Sequence, residues 1–98
     1  MARLDVYPGA RGKGYLLDCQ PDFLSDLESR VVVPLMPATG LPATTRLNPM
    51  FTINGEKHVM TTQLIFAIPT ERLGKTVASL AREQLTIIAA LDMLISGF

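Results

Sequence analysis

Phe51-Thr-Ile-Asn-Gly-Glu-Lys-His-Val-Met60 is the stretch that decides the fold. Asn54-Gly55 stands between two runs in which apolar and polar residues alternate, and Asn-Gly suits the left-handed backbone of a two-residue hairpin turn. The stretch therefore predicts two antiparallel strands joined by a tight turn.

The same logic extends upstream. Leu4 and Val6 alternate with Arg3 and Asp5, the period of a strand with one buried face, and Pro8-Gly9 ends it. Pro8-Gly-Ala-Arg-Gly-Lys-Gly14 holds too much glycine for regular structure and reads as a basic hairpin loop, with Tyr15 to Cys19 as the return strand. Pro21 to Leu27 reads as a helical turn or loop that leaves Phe23 and Leu24 exposed unless a partner covers them. Arg30-Val-Val-Val-Pro-Leu-Met36 carries β-branched residues suited to a strand buried on both faces. Pro34 cannot donate to a ladder, so that strand is expected to bulge or meet an edge there. Residues 37–48 read as a crossing loop.

Downstream of the hairpin, Leu64 to Ile68 forms a further apolar strand stopped by Pro69, and Thr76 to Ala78 adds a short one. With Ser79 as N-cap, Leu80, Gln84, Ile87, Ile88, Leu91, Leu94 and Ile95 then fall at helical spacing. Leu85, Ala89, Ala90 and Met93 make the other faces of this helix apolar as well, so it is expected to pack on its own sheet and on a second subunit. The fold class is mainly β with a C-terminal α-helix.

A chain of 98 residues has material for one core, so residues 1–98 are expected to form a single domain. It is 48% hydrophobic and only 18% charged, which places part of the apolar surface in a subunit interface. Nine Lys and Arg balance nine Asp and Glu, so no global field draws the chain to nucleic acid or to an anionic membrane. Cys19, the single cysteine, excludes an internal disulfide framework and a Cys-based zinc cluster and fits a reducing cytoplasm. The N-terminus lacks the apolar core of a secretory signal, and Leu85 to Ile95 is too short to span a bilayer.

The search for reactive groups points away from catalysis and from any metal or cofactor. His58 is the sole histidine, without a second ligand or acid–base partner at functional spacing, and reads as structural. Cys19 has no histidine pattern to activate it and reads as a small core residue. Gly9, Gly12, Lys13 and Gly14 lack the Ser or Thr and the following helix of a phosphate loop, although Arg11 and Lys13 could meet an acidic partner. Asp22, Asp26 and Glu28 read as solvated carboxylates, with helix capping the next role for Asp22. What remains is apolar: Phe23-Leu24 in its loop, and Ser96-Gly97-Phe98 after the helix, which either fold back onto the core and fray at the end or serve as contacts, a terminal aromatic being well placed to anchor in a partner.

Asp5-Val6-Tyr7, Arg30-Val-Val-Val-Pro-Leu35, Leu47-Asn48-Pro49, Ile53-Asn-Gly55, Met60-Thr-Thr62, Ile68-Pro69, Leu73-Gly74 and the helix ending in Gly97 occur in an order and spacing that resemble the CcdB toxins of bacterial toxin–antitoxin modules. The resemblance implies a CcdB/MazF-like, SH3-like barrel with an antiparallel sheet, a small subsidiary sheet and a terminal helix, assembled as a homodimer. It implies a non-enzymatic toxin that binds the A subunit of DNA gyrase and traps the cleaved complex, as in plasmid maintenance, and a CcdA-like antitoxin that neutralises it. Carried over by position, the target-binding residues are Phe23, Leu24, Asp92, Ser96, Gly97 and Phe98. Arg11, Lys13, Phe23 and Leu24 are the expected antitoxin contacts. Ser96 stands where the resembled proteins often have tryptophan, and Asp92 where they have asparagine. The alternatives are a MazF-like endoribonuclease, which would need an RNA groove with acid–base groups, and an inactive relative that only binds antitoxin.

Overall fold

A computed structural model describes residues 2–9, 12–24, 26–39 and 45–97. The hairpin expected around Asn54-Gly55 is present. Strands β4 (Met50–Ile53) and β5 (Glu56–Met60) pair antiparallel, and the turn residues Asn54 and Gly55 have φ of 51° and 82°. Both lie in the left-handed region that the Asn-Gly pair tolerates.

The other strands are β1 (Asp5–Pro8), β2 (Tyr15–Asp18), β3 (Ser29–Pro37), β6 (Phe66–Pro69) and β7 (Ala78–Ser79). They form one antiparallel sheet in the order β4-β5-β3-β2-β1-β7, with β6 pairing β3 beside β5. The hairpin joins the rest of the sheet where β5 meets β3. The sheet curls into a nearly closed barrel whose two end strands are β4 and β7.

Strand β3 explains how Pro34 is tolerated. On one side it pairs with β2 through Leu35; on the other, β6 takes Ser29 to Val32 and β5 takes Leu35 to Pro37. Pro34 falls between these two partners, and its carbonyl accepts the Thr61 backbone N–H at 3.0 Å and the Thr61 hydroxyl at 2.8 Å. The missing donor therefore sits where a change of partner had already interrupted the ladder.

The barrel interior is filled by Val6, Leu17, Val33, Leu35, Phe51, Ile53 and Met60. Ile87 and Ala90 close it from helix α1 (Gln84–Ser96), both fully buried. Tyr7, Leu16 and Val32 form a smaller cluster, with Ile68 and Leu73 packed against it. Tyr7 thus makes the first strand apolar on both faces, against the single buried face expected from Leu4 and Val6.

The helix begins later than its periodicity suggested. Leu80 donates its N–H to the Leu4 carbonyl at 2.8 Å, which holds residues 78–80 against β1, and Ser79 belongs to β7. The Ser79 hydroxyl accepts the Ala81 N–H and so opens a short 3₁₀ turn, Ala81–Glu83, before α1 starts at Gln84. At the other end Gly97 takes a left-handed φ of 78° and donates its N–H to the Met93 carbonyl, a glycine cap.

Candidate functional site

The candidate target-binding residues lie on two supports. The first is the 3₁₀ turn Asp22–Leu24. Phe23 is 83% exposed and Leu24 half-buried. A turn of three residues has little stability of its own, and its position comes from a buried polar network beneath it. Arg30 and Asp18, both 0% exposed, form an ion pair in which Nη2 and Nε of Arg30 donate to Oδ2 at 2.5 and 2.9 Å. The second oxygen of Asp18 accepts the Gln20 N–H at 3.0 Å. Gln20, also buried, donates Nε2 to the Leu24 carbonyl at 2.7 Å and accepts the Val31 N–H at 3.1 Å. Asp22 accepts the Arg3 N–H at 2.7 Å, so it ties the turn to the start of the chain instead of capping a helix.

Arg30 and Asp18 were not singled out from sequence. The signal was present in the run Tyr15-Leu-Leu-Asp18, where a carboxylate takes a core-facing place in a strand, and in an arginine that opens a buried β3. A charge buried this completely has to be paired, because desolvation of an isolated ion costs several kcal/mol or more.

The second support is the end of α1. Asp92 and Ser96, one helical turn apart, are both exposed, as is Gly97. Phe98 and Arg11 lie outside the described residues, and Lys13 is exposed. No hydrogen bond or ion pair among the described residues joins the Asp22–Leu24 turn to the helix end. The helix also exposes Leu85 (85%) and Ile95 (80%), and Leu64 and Phe66 add exposed apolar surface around β6.

His58 is 3% exposed, its Nδ1 lies 3.0 Å from the Glu56 carbonyl, and its ring meets Tyr15 edge to face at 4.9 Å. Nδ1 donating to the carbonyl and the aromatic contact hold the ring in place, which fits a structural role. His58, Tyr15 and Glu56 line a cleft of about 300 Å³ with Pro8, Gly12 and Gly14 from the basic loop. A second cleft, of about 510 Å³, lies between Glu28 and Glu71. Cys19 is buried, and desolvation pushes its thiol up to about 12, so it is protonated and unreactive near neutrality. Among the described residues no group of three His, Cys, Asp or Glu could hold a metal ion, and no helix is long and apolar enough to cross a membrane.

Solved structures with this architecture include mycobacterial toxins and endoribonucleases. An endoribonuclease from a mycobacterial species, solved in complex with its cognate antitoxin, superposes with a TM-score of 0.80 at 15% identity, covering 98% of this chain and 95% of that one. Another mycobacterial endoribonuclease gives 0.79 at 17% identity, covering 98% and 91%. The Mycobacterium tuberculosis toxin MazF-mt6 gives 0.73 at 13% identity, covering 96% of each chain. Identities this low speak for the fold alone. No curated protein sequence matches the chain. A family model described as CcdB protein matches residues 3–97, nearly the whole length. On that match, and with the barrel and terminal helix in place, the chain belongs to the CcdB family of toxin–antitoxin toxins.

Proposed function

We propose that this toxin acts by binding another protein, the A subunit of DNA gyrase, and trapping the cleaved DNA complex, and that a cognate antitoxin neutralises it. The observation that carries this reading is Phe23, a large aromatic side chain 83% exposed on a turn fixed by a fully buried ion pair. An exposed aromatic on a rigid support loses little entropy on docking and is the usual kind of binding anchor. The helix end, with Asp92, Ser96, Gly97 and Phe98, supplies the second contact. Two protomers joined through the apolar faces of α1, where Leu85 and Ile95 stand exposed, would present these ends as a symmetric pair. Antitoxin contacts are assigned to Arg11, Lys13, Phe23 and Leu24, so target and antitoxin compete.

A ribonuclease is the second reading, and the cleft beside His58 is what favours it, since imidazole, phenol and carboxylate meet there. The anchored, buried state of His58 weighs against acid–base work. Inducing the protein in bacteria tests both. Gyrase covalently attached to cleaved DNA supports the binding reading; cut RNA without such complexes supports the nuclease; neither product marks an inactive relative.

A further inference from the structure

We propose that the gap between β4 and β7 is a docking slot for one extended peptide segment, which completes the barrel by pairing with both edges. The two strands end the sheet, and between them lies a cleft of about 300 Å³ lined by Met50, Phe51, Thr52, Ser79, Leu80 and the Arg82–Glu83 turn.

The backbone at this gap is directed outward by register. A two-residue hairpin turn makes Ile53 and Glu56 a hydrogen-bonded pair, so Phe51 and His58 form the next one and the groups of Met50 and Thr52 point away from β5. The Met60 N–H bonded to the Pro49 carbonyl at 2.9 Å continues that alternation. On the facing edge, Leu80 bonds to Leu4, which leaves Ser79, opposite Asp5, with its N–H and C=O turned from β1. The outward backbone groups of Met50 and Thr52 on one side and of Ser79 on the other line one cleft and suit an extended chain.

The edge of β7 is short, only Ala78–Ser79, and that of β4 runs over four residues. Met50-Phe-Thr-Ile53 and Ala78-Ser79 contain no charge and no proline, two of the devices that keep free edges from pairing. The buried Phe51 and Leu80 floor the slot with apolar surface, while Thr52, Ser79, Arg82 and Glu83 form a polar rim of mixed charge. The occupant is therefore a segment that alternates apolar and polar residues, with no strong charge bias. A second copy would bring its edge strand already paired to a neighbour, whereas a single extended segment has both of its own edges free to pair. The partner chemistry that fits is a flexible arm that folds on binding, the kind an antitoxin supplies, and this assignment rests on the toxin–antitoxin reading above.

The test is amide exchange in the labelled full-length chain, titrated with an acetylated Val-Thr-Val-Thr-Val-Thr amide. In the free protein Thr52 and Ser79 exchange fast while Phe51 and Leu80 are protected. The peptide should slow exchange at Thr52 and Ser79 by about tenfold or more. The same peptide methylated on alternate amide nitrogens should not. Thr52→Pro, which removes only an outward-facing donor, should keep the melting temperature and abolish the effect. Protection of Thr52 and Ser79 in the free protein, an equal effect from the methylated peptide, or no peptide effect at these amides overturns the slot. Protection by the plain peptide supports it whether or not an antitoxin is found. An antitoxin that neutralises the toxin while leaving both amides exchanging freely overturns the slot and leaves the antitoxin reading standing.

Discussion

Arg30 and Asp18 lie twelve residues apart in the chain and meet as a fully buried ion pair, Nη2 to Oδ2 at 2.5 Å, beneath the turn that presents Phe23. The pair couples the stability of the barrel to the placement of the exposed Phe23, because Asp18 also holds Gln20, and Gln20 holds Leu24.

Breaking the pair from one side should be costly. Arg30→Met leaves Asp18 as a buried, uncompensated charge and should lower unfolding free energy by about 3–5 kcal/mol. Replacing both, as Asp18→Leu with Arg30→Met, should recover most of that loss. Urea denaturation of the single and double variants checks this; a double variant as unstable as the sum of two singles contradicts it.

Gln20→Ala isolates the link to the turn. It removes the partners of the Leu24 carbonyl and the Val31 N–H and should cost about 1–3 kcal/mol. The local effect should be larger than the global one, with amide exchange across residues 22–27 rising more than in β3. Uniform acceleration would mean that Gln20 supports the core generally.

The loop glycines separate two kinds of constraint. At Gly14, with φ of 62°, an added Cβ would lie 2.5 Å from the Leu35 carbonyl oxygen, whereas at Gly12, with φ of 71°, it would meet nothing within 4 Å. Gly12→Ala should therefore cost about 1–2 kcal/mol from backbone strain alone. Gly14→Ala should lower the melting temperature clearly further, and equal losses would show that the close approach to β3 is readily relaxed.

Cys19 sets an alkaline limit. Its folded thiol is raised by desolvation from the ordinary 9.0 to about 12, so the unfolded state loses its proton first as pH rises. The contribution is fully present below pH 9 and is lost progressively up to about pH 12, a few kcal/mol in all. Cys19→Ala should flatten the decline in denaturation midpoint between pH 8 and 10. Native protein should also resist iodoacetamide at neutral pH, and rapid labelling would show that the thiol is not buried.

Local rules made parts of this molecule legible. Asn54-Gly55 announced its hairpin because the turn's backbone demand is met by those two residues alone. The glycine cap of α1 was legible for the same reason. The start of α1 was not, because the pairing of Leu80 with Leu4 draws that segment into the sheet from a distant part of the chain. Pro34 raised a sound question whose answer depended on β5 and β6 sharing one side of β3. At the candidate site, turn formers around Phe23 left it either exposed or folded back onto the core, and it stands exposed. The Asp18–Arg30–Gln20 network below it was not legible, since it forms only when β2 and β3 are already paired.

The proposed trapping of gyrase through the helix ends is tested most directly by a cleavage assay. Purified toxin is incubated with gyrase and supercoiled plasmid, the complexes are denatured and digested with protease, and linear DNA is measured for the intact chain and for a variant lacking residues 96–98. The account predicts linear DNA with the intact protein and a sharp loss with the truncated one, whose melting temperature should be nearly unchanged because Ser96 and Gly97 are exposed. Equal cleavage by both proteins, or none by the intact one alongside cut RNA in a parallel reaction without gyrase, would contradict it.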